Sequence, residues 1–236
     1  MNPIFLTAEW RYLAMLNYAV DSAILQPLVP YGTELDLWRG QALVSIVGFH
    51  FLRTRVLGLS LPGHRNFEEV NLRFYVRRQC GGEWRRGVVF VRELVPKPLI
   101  AWVARTFYGE PYLALPMAHT IQHTAAGVSV RYGWRRQGQE ETLTARGVGE
   151  PQPLVPGSEE EFITEHYWGY TRRRSRCSEF AVEHPPWRVW RATEHALQAD
   201  FRTLYGPEFA ESLQAPPVSA FIAEGSPVAV RWKTEL

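Results

Sequence analysis

The chain has 236 residues, 46% of them apolar, and a formal net charge of +2. A chain of this length can bury a sizeable core, and we expect a single domain spanning residues 1–236. The near balance of 26 basic and 24 acidic residues gives no reason to expect a nucleic-acid or membrane-surface partner.

The first third of the chain is typical of β-strands. Residues 8–20 (AEWRYLAMLNYAV) are rich in aromatic and aliphatic residues and predict a strand. Asp21 is placed to cap a short helix over residues 22–28. Residues 41–59 then predict one bent strand or two strands, with Gly48 and Gly58 as candidate bulge or bend points.

A hairpin follows, because Phe67–Gln79 alternates apolar and polar residues and Trp84–Val95 returns after the turn at Cys80–Glu83. Leu99–Phe107 has helical spacing. Its apolar positions recur on one side, so we expect a short helix there.

Further short elements complete the chain. A second hairpin joins residues 128–136 and 140–147, residues 149–157 form a loop, and Ser158 opens a helix through a capping box. The remaining predicted elements are strands at 166–174, 178–184 and 187–197, a helix at 206–213, and two closing strands, SAFIAEG and PVAVRW. The ten to twelve strands and few short helices indicate a barrel or a sandwich.

One face of the first hairpin strand is polar throughout. Val70, Leu72, Phe74 and Val76 would face one way; Glu69, Asn71, Arg73, Tyr75 and Arg77 would face the other. The polar face is either exposed to solvent or turned into an enclosed space, where its charges must pair. The returning strand favours the enclosed space, because Val88–Val91 is apolar on both faces and ends at Arg92 and Glu93.

The aromatic residues have two interpretations. His166, Tyr167, Trp168 and Tyr170 are large side chains with polar tips, a composition that suits the wall of an apolar pocket. The same composition is typical of an ordinary barrel core. The sequence leaves the choice open.

Motifs for other chemistry are missing from the sequence. His64, His166 and His184 lack metal-ligand spacing and are expected to be packing residues, so we predict no metal. The two cysteines, Cys80 and Cys177, are expected to be free thiols in a reducing cytosol. No signal peptide or long apolar segment is present in the sequence, which predicts a cytoplasmic protein.

The quoted segments carry a family resemblance. FEEVNLRFYVRR, GVVFVRELVPK, TRVLG, FITEHYWGYT and VEHPPWRV, in this order, resemble the YqjF-like family of uncharacterised bacterial proteins, which is placed in the acetoacetate decarboxylase-like superfamily. The resemblance implies an α+β, mainly β fold: an acetoacetate decarboxylase-like antiparallel β-barrel or cone with a central cavity and a few short helices.

The decarboxylase itself resembles this chain at an aromatic-x-Glu-Val element and at Arg-Glu before Pro-Lys. The resemblance implies that Glu69 is the cavity carboxylate and that Lys97 lies near the position of the Schiff-base amine. Lys97 is followed by Pro98, where the enzyme has a second lysine that activates the first. A lysine at the start of a helix is the alternative interpretation.

The favoured hypothesis is a cavity lined by Glu69, Arg73 and Arg92, with Asn71, Tyr75, Glu93 and the aromatic residues of 166–170 as further ligand contacts. Such a site suits a small organic acid or carbonyl compound, because guanidinium binds carboxylate in a bidentate manner. No cofactor is predicted, and a homo-oligomer is left open. Two alternatives remain: a lyase or decarboxylase acting on a β-keto acid through Lys97, and an interaction module using the basic stretch 171–176.

Overall fold

The computed structural model describes residues 2–173 and 176–236, with the side chain of Arg173 excepted. Fourteen strands of this described part form one sheet. They are β1 Ile4–Val20, β2 Glu34–Leu35, β3 Ala42–Val56, β4 Phe67–Cys80, β5 Glu83–Val95, β6 Tyr112–Ala114, β7 Met117–Thr124, β8 Gly127–Arg136, β9 Gln139–Val148, β10 Trp168–Arg173, β11 Arg176–Glu183, β12 Val189–Gln198, β13 Ser219–Arg231 and β14 Thr234–Glu235.

The helices are short. They are α1 Ser22–Leu25 with a 3-10 turn at Gln26–Leu28, α2 Pro98–Val103 with a π-helical continuation at Ala104–Tyr108, α3 Glu159–Thr164, α4 Phe201–Tyr205 and α5 Pro207–Gln214. Asp21 and Ser158 cap α1 and α3 by accepting backbone hydrogen bonds, as the sequence predicts. Among the described residues, no helix has the length and apolar character needed to span a bilayer.

Seven strands pair in a circuit. The order is β11, β10, β5, β4, β3, β1 and β13, and β13 pairs with β11 as well as with β1. The mainly β fold with a few short helices is therefore confirmed. The sheet is mixed rather than wholly antiparallel, since β5 runs parallel to both β10 and β6.

Both faces of the central strands are covered. The faces of β3 and β4 that carry Ile46, Leu72 and Phe74 pack in a large apolar core, which also contains side chains from β8, β9, α4 and α5. The opposite faces contribute to a second core with Phe49 and Tyr75. Because no face of the central part of β4 is left open, its polar residues Glu69, Asn71 and Arg73 are also buried.

Three details differ from the sequence predictions. The two closing strands are one continuous strand, β13, in which Gly225 has a φ of +79° and pairs with Arg11 of β1. Strand β3 passes through Gly48 without a break, and the pairing of β1 with β3 is irregular next to it, between Arg11 and Ala14. A Cβ at Gly48 would lie 2.7 Å from Cδ2 of Tyr132, so glycine here permits close packing against β8. Strand β7 and helix α4 were not predicted.

Candidate functional site

A cavity of about 230 Å³ lies inside the seven-strand circuit. Each of the seven strands contributes at least one side chain to its wall. Most of the wall is aromatic or aliphatic. The polar side chains are Thr54, His64, Glu69, Asn71, Arg73, Glu93, Glu110, Tyr112, Thr164, His166 and His184.

Strand β4 supplies three of these polar residues through its alternation. Glu69, Asn71 and Arg73 line the cavity, whereas Val70 and Leu72 point into the large core. The exposed fractions of Glu69 and Asn71 are 2%, and that of Arg73 is 9%. The structure therefore places three of the five residues of the predicted polar face in the enclosed space rather than in bulk solvent.

Glu69 accepts two hydrogen bonds from neighbouring side chains. Nδ2 of Asn71 donates to its Oε1 at 3.0 Å, and the hydroxyl of Tyr112 donates to its Oε2 at 2.9 Å. Asn71 pairs with Glu93 across β4 and β5, and Glu93 pairs with Tyr112 across β5 and β6. The pairing thus carries one row of polar side chains across three strands.

Burial changes the protonation of three carboxyl groups in this row and beside it. It raises the pKa of Glu69 to about 7, although Asn71, Tyr112 and the charge of Arg73 oppose the change. Burial also raises the pKa of Glu110 to about 8. The pKa of Glu93 is held well above its usual range by burial and by the neighbouring Glu110 and Glu69. At neutral pH these three carboxyl groups therefore carry less than three negative charges in total.

Arg73 keeps unused hydrogen-bonding capacity. Its Nη2 donates to the carbonyl oxygen of Ile163 at 3.3 Å and lies 4.0 Å from the sulfur of Met15. Its Nε is buried with no partner among the described residues. A guanidinium has five N–H donors, so several are free to bind an anion.

His166 lines the cavity as a neutral ring. Burial lowers its pKa to about 4, although Asp36 accepts a hydrogen bond from Nε2 at 3.3 Å. Its Nδ1 is buried and has no partner in the described part of the chain. The ring lies 4.7 Å from that of Tyr75.

Four residues expected at the cavity do not line it within the described structure. Adjacent strand residues point to opposite faces, so Glu93 and Arg92 cannot both reach the cavity. Arg92 pairs with Leu72, and its charge acts on Tyr205 in the large core. A register irregularity after Leu72, which adds a residue to β5, sets this orientation.

The other three are the tyrosines. Tyr75 bonds Ser45 through its hydroxyl, Tyr167 donates to Glu165, and Tyr170 is packed in the large core. Trp168 does line the cavity, with the guanidinium of Arg85 4.2 Å from its ring centre.

Neither lysine is among the described residues of the cavity wall. Lys97 is half-buried at the position before α2, and its side chain makes no capping hydrogen bond. Lys233 lies outside the wall as well, although its charge opposes the effect of burial on the pKa of Glu110. Of the basic stretch 171–176, Arg174 and Ser175 lie outside the described residues, so the structure does not describe that candidate as a whole.

Sequence reasoning missed Glu110 and Tyr112. They follow Gly109, whose φ of +76° ends the helical segment; Glu110 lies just before β6, and Tyr112 is the first residue of β6. Thr171 donates a hydrogen bond to Glu110. A charged residue between a helix stop and a proline gives no periodic signal. Among the residues described, no three His, Cys, Asp or Glu side chains are arranged to hold a metal ion.

Comparison with known proteins gives a family for this chain. Residues 7–227 match the family DUF2071, described as an uncharacterized conserved protein (COG2071). The chain belongs to this family. It is also 31% identical to the uncharacterized protein YqjF of Bacillus subtilis over 183 residues, which cover 75% of this chain and 72% of YqjF.

Solved structures confirm the fold expected from the resemblance. Acetoacetate decarboxylase of Legionella pneumophila superposes with a TM-score of 0.65 at 12% identity, covering 100% of this chain and 88% of that one. The enduracididine biosynthesis enzyme MppR complexed with pyruvate gives 0.65 at 13% identity, covering 100% and 90%. An acetoacetate decarboxylase-like enzyme of Sphingomonas wittichii gives 0.64 at 14%, covering 99% and 93%.

Proposed function

We propose that this protein binds a small organic acid or carbonyl compound in the cavity. The observation that carries the proposal is a set of buried polar atoms on the wall without hydrogen-bond partners among the described residues. They are Asn71 Oδ1, Arg73 Nε, Glu93 Oε2 and His166 Nδ1. Buried polar groups in folded proteins are nearly always hydrogen-bonded, so a small turn of these side chains toward a ligand in the cavity would supply the missing partners.

The size and lining of the cavity favour a ligand over a single bound water. Its volume of about 230 Å³ far exceeds the roughly 10–15 Å³ that one water requires. Aromatic and aliphatic walls with a few convergent polar groups are typical of small-molecule sites.

Each polar group has a role in this proposal. Arg73 binds the carboxylate of the ligand through its free N–H donors. Glu93, whose pKa burial raises well above its usual range, donates a hydrogen bond to a carbonyl oxygen in its protonated form. Asn71 Oδ1 accepts from a hydroxyl or enol of the ligand. These contacts together select a short oxo acid over a plain hydrocarbon.

The similar structures support the ligand class. One of them, MppR, is described as complexed with pyruvate, a short oxo acid. At 13% identity this likeness shows only the fold of the present chain. It indicates that a fold of this type can enclose a ligand of this size and charge.

The lyase alternative rests on Lys97 alone. An imine requires the amine to reach the carbonyl carbon of the substrate, whereas Lys97 is not among the described residues of the cavity wall. Borohydride reduction in the presence of acetoacetate, followed by intact-mass and peptide analysis, tests it. We expect no adduct on Lys97; a reduced adduct there would establish the lyase chemistry instead.

The binding proposal is tested by isothermal titration calorimetry with pyruvate, acetoacetate and acetone. Acetone carries the carbonyl but no carboxylate, so we expect both acids to bind more tightly than acetone. Arg73→Gln is expected to weaken the binding of both acids at least tenfold. Arg73→Lys should weaken it less, because lysine keeps the positive charge. Arg77→Gln, on the same strand but in a partly exposed ion pair with Glu34, is the matched control.

The comparison among ligands needs no variant, so misfolding of Arg73→Gln cannot hide the answer. Absence of binding by all three compounds to the unmodified chain would remove the proposal. Equal binding of acetone and acetoacetate would remove the role of Arg73 and leave only the apolar pocket.

A further inference from the structure

The mouth of the cavity is apolar and exposed. Leu59, Leu61 and Leu99 line the cavity, yet 71%, 48% and 43% of their surfaces are exposed. Side chains that belong both to the wall and to the outer surface mark the place where a cavity opens. Leu59 and Leu61 stand on the loop after β3, and Leu99 stands on α2, so the opening lies between these two elements.

Three polar groups of the wall are far less exposed than these leucines. Glu69, Asn71 and Glu93 are each 2% exposed. Aromatic and aliphatic side chains, among them Phe90 and Val103, form most of the remaining wall. The cavity therefore runs from a buried polar end to an exposed apolar rim.

This gradient differs from what a site for a small polar metabolite needs. The buried polar groups alone can form all the hydrogen bonds of such a compound, and contact with the rim leucines adds nothing to its affinity. Apolar surface at the rim is unfavourable in water. A tail lying along it removes that surface from water.

We infer that the ligand is amphipathic, with its acid or carbonyl group near Arg73 and an aliphatic or aromatic tail that extends to the rim. This inference rests on the proposed function and names the class of compound within it. The tail is favoured over a second copy of the chain because the rim leucines are continuous with the cavity wall. A π-helical segment, Ala104–Tyr108, follows α2 at this rim, and such segments are frequent at functional sites.

A homologous series of ligands tests the tail. Butanoate, octanoate and dodecanoate share one carboxylate and differ only in chain length. Full burial of a methylene is worth up to about fourfold in affinity. We expect octanoate to bind at least about tenfold more tightly than butanoate, and the gain to diminish once the tail passes the rim. Calorimetry below the micelle concentration measures both.

Rim variants separate the tail from the head group. The double change Leu59→Asn and Leu61→Asn is expected to remove most of the octanoate advantage and to leave butanoate unchanged. Leu57→Asn is the control, since Leu57 is 58% exposed but does not line the described cavity. Its φ of +52° suits asparagine, so this control should fold normally. Arg73→Gln is expected to weaken all chain lengths by a similar factor.

Each remaining outcome overturns the inference in a distinguishable way. If butanoate and octanoate bind equally well, the tail is refuted while the proposed function stands. If the unmodified chain binds no carboxylate and no oxo acid, both fall. If sedimentation shows a dimer that the double rim variant dissociates, the rim is a subunit interface and not a tail site.

Discussion

The hydroxyl of Tyr112 donates a hydrogen bond of 2.9 Å to Oε2 of Glu69, although 43 positions separate the two residues. Tyr112 lies on β6 and Glu69 on β4, with Glu93 of β5 between their strands. The bond therefore links both sides of the polar row. It also favours the ionised form of Glu69, opposing the effect of burial on its pKa.

The first prediction concerns this bond. Tyr112→Phe should lower the free energy of unfolding by about 1–3 kcal/mol at pH 8, where Glu69 is largely ionised. The loss should be smaller near pH 5, where Glu69 is protonated, because a hydrogen bond to a neutral acceptor is weaker. Urea denaturation at the two pH values measures the difference.

Tyr167→Phe is the control for that experiment. Tyr167 also donates to a glutamate, Glu165, but both side chains are only half-buried. We expect the control to lose less stability than Tyr112→Phe at pH 8. An equal loss at both pH values in Tyr112→Phe would show that the hydroxyl does not act through the charge of Glu69.

The second prediction follows from the raised pKa of Glu110. Its folded pKa of about 8 lies above the usual glutamate value of 4.5, so the folded state binds more protons than the unfolded chain between these values. Stability contributed by this group is therefore lost as pH rises through that window. Glu110→Gln removes the titration and still accepts the hydrogen bond of Thr171.

Between pH 5 and pH 8, we expect the unmodified chain to lose on the order of 3 kcal/mol more stability than Glu110→Gln. Glu69, Glu93 and Lys233 also act on this site and remain in both proteins. His166, with a lowered pKa of about 4, has the opposite pH dependence, which cancels in the comparison. Glu34→Gln, at an exposed ion pair, should follow the unmodified chain. Parallel curves for Glu110→Gln and the unmodified chain would contradict the prediction.

Strand alternation is the basis of most of what the sequence predicts about the site. The period of two in residues 67–79 predicts that Glu69, Asn71 and Arg73 share a face, and the structure places all three on the cavity wall. The same rule predicts the hairpin of β4 and β5. Local periodicity and turn composition are sufficient for both, because neither depends on distant parts of the chain.

Other features depend on distant pairings that local sequence does not encode. The register irregularity beside Leu72 decides that Glu93, and not Arg92, faces the cavity. Glu110 and Tyr112 reach the site only because β6 pairs in parallel with β5. The packing role of Gly48 is not encoded in the local sequence, because the ring of Tyr132 that occupies the space beside it comes from β8.

The third prediction tests the close packing at Gly48. In Gly48→Ala the new Cβ would lie 2.7 Å from Cδ2 of Tyr132 and 2.8 Å from Cδ2 of Leu143. Both side chains are fully buried, so they cannot move away freely. We expect a loss of about 1–3 kcal/mol in the free energy of unfolding.

Gly133→Ala in β8 is the matched control. Its new Cβ would meet Nη1 of Arg131 at 3.2 Å, the flexible end of a long side chain. The control should therefore lose less than about 1 kcal/mol. If the two variants are equally stable, the close packing at Gly48 does not limit the fold.

The fourth prediction concerns the pH dependence of ligand binding. An acid that binds Arg73 brings a negative charge close to Glu69, whose pKa is about 7 in the absence of ligand. The added charge favours the protonated carboxyl, so binding should be coupled to proton uptake. We expect the affinity for acetoacetate to rise by up to about tenfold in total as pH falls from 8 to 6.

Calorimetry in two buffers with different ionisation enthalpies measures the proton uptake directly. In Glu69→Gln the coupling to this site is removed, so the affinity should be nearly independent of pH and similar to that of the unmodified chain at pH 6. Acetone, which brings no charge, should bind with little pH dependence to either protein. A pH-independent affinity of the unmodified chain for acetoacetate would show that the bound anion does not approach Glu69, and the ligand would then have to lie elsewhere in the cavity.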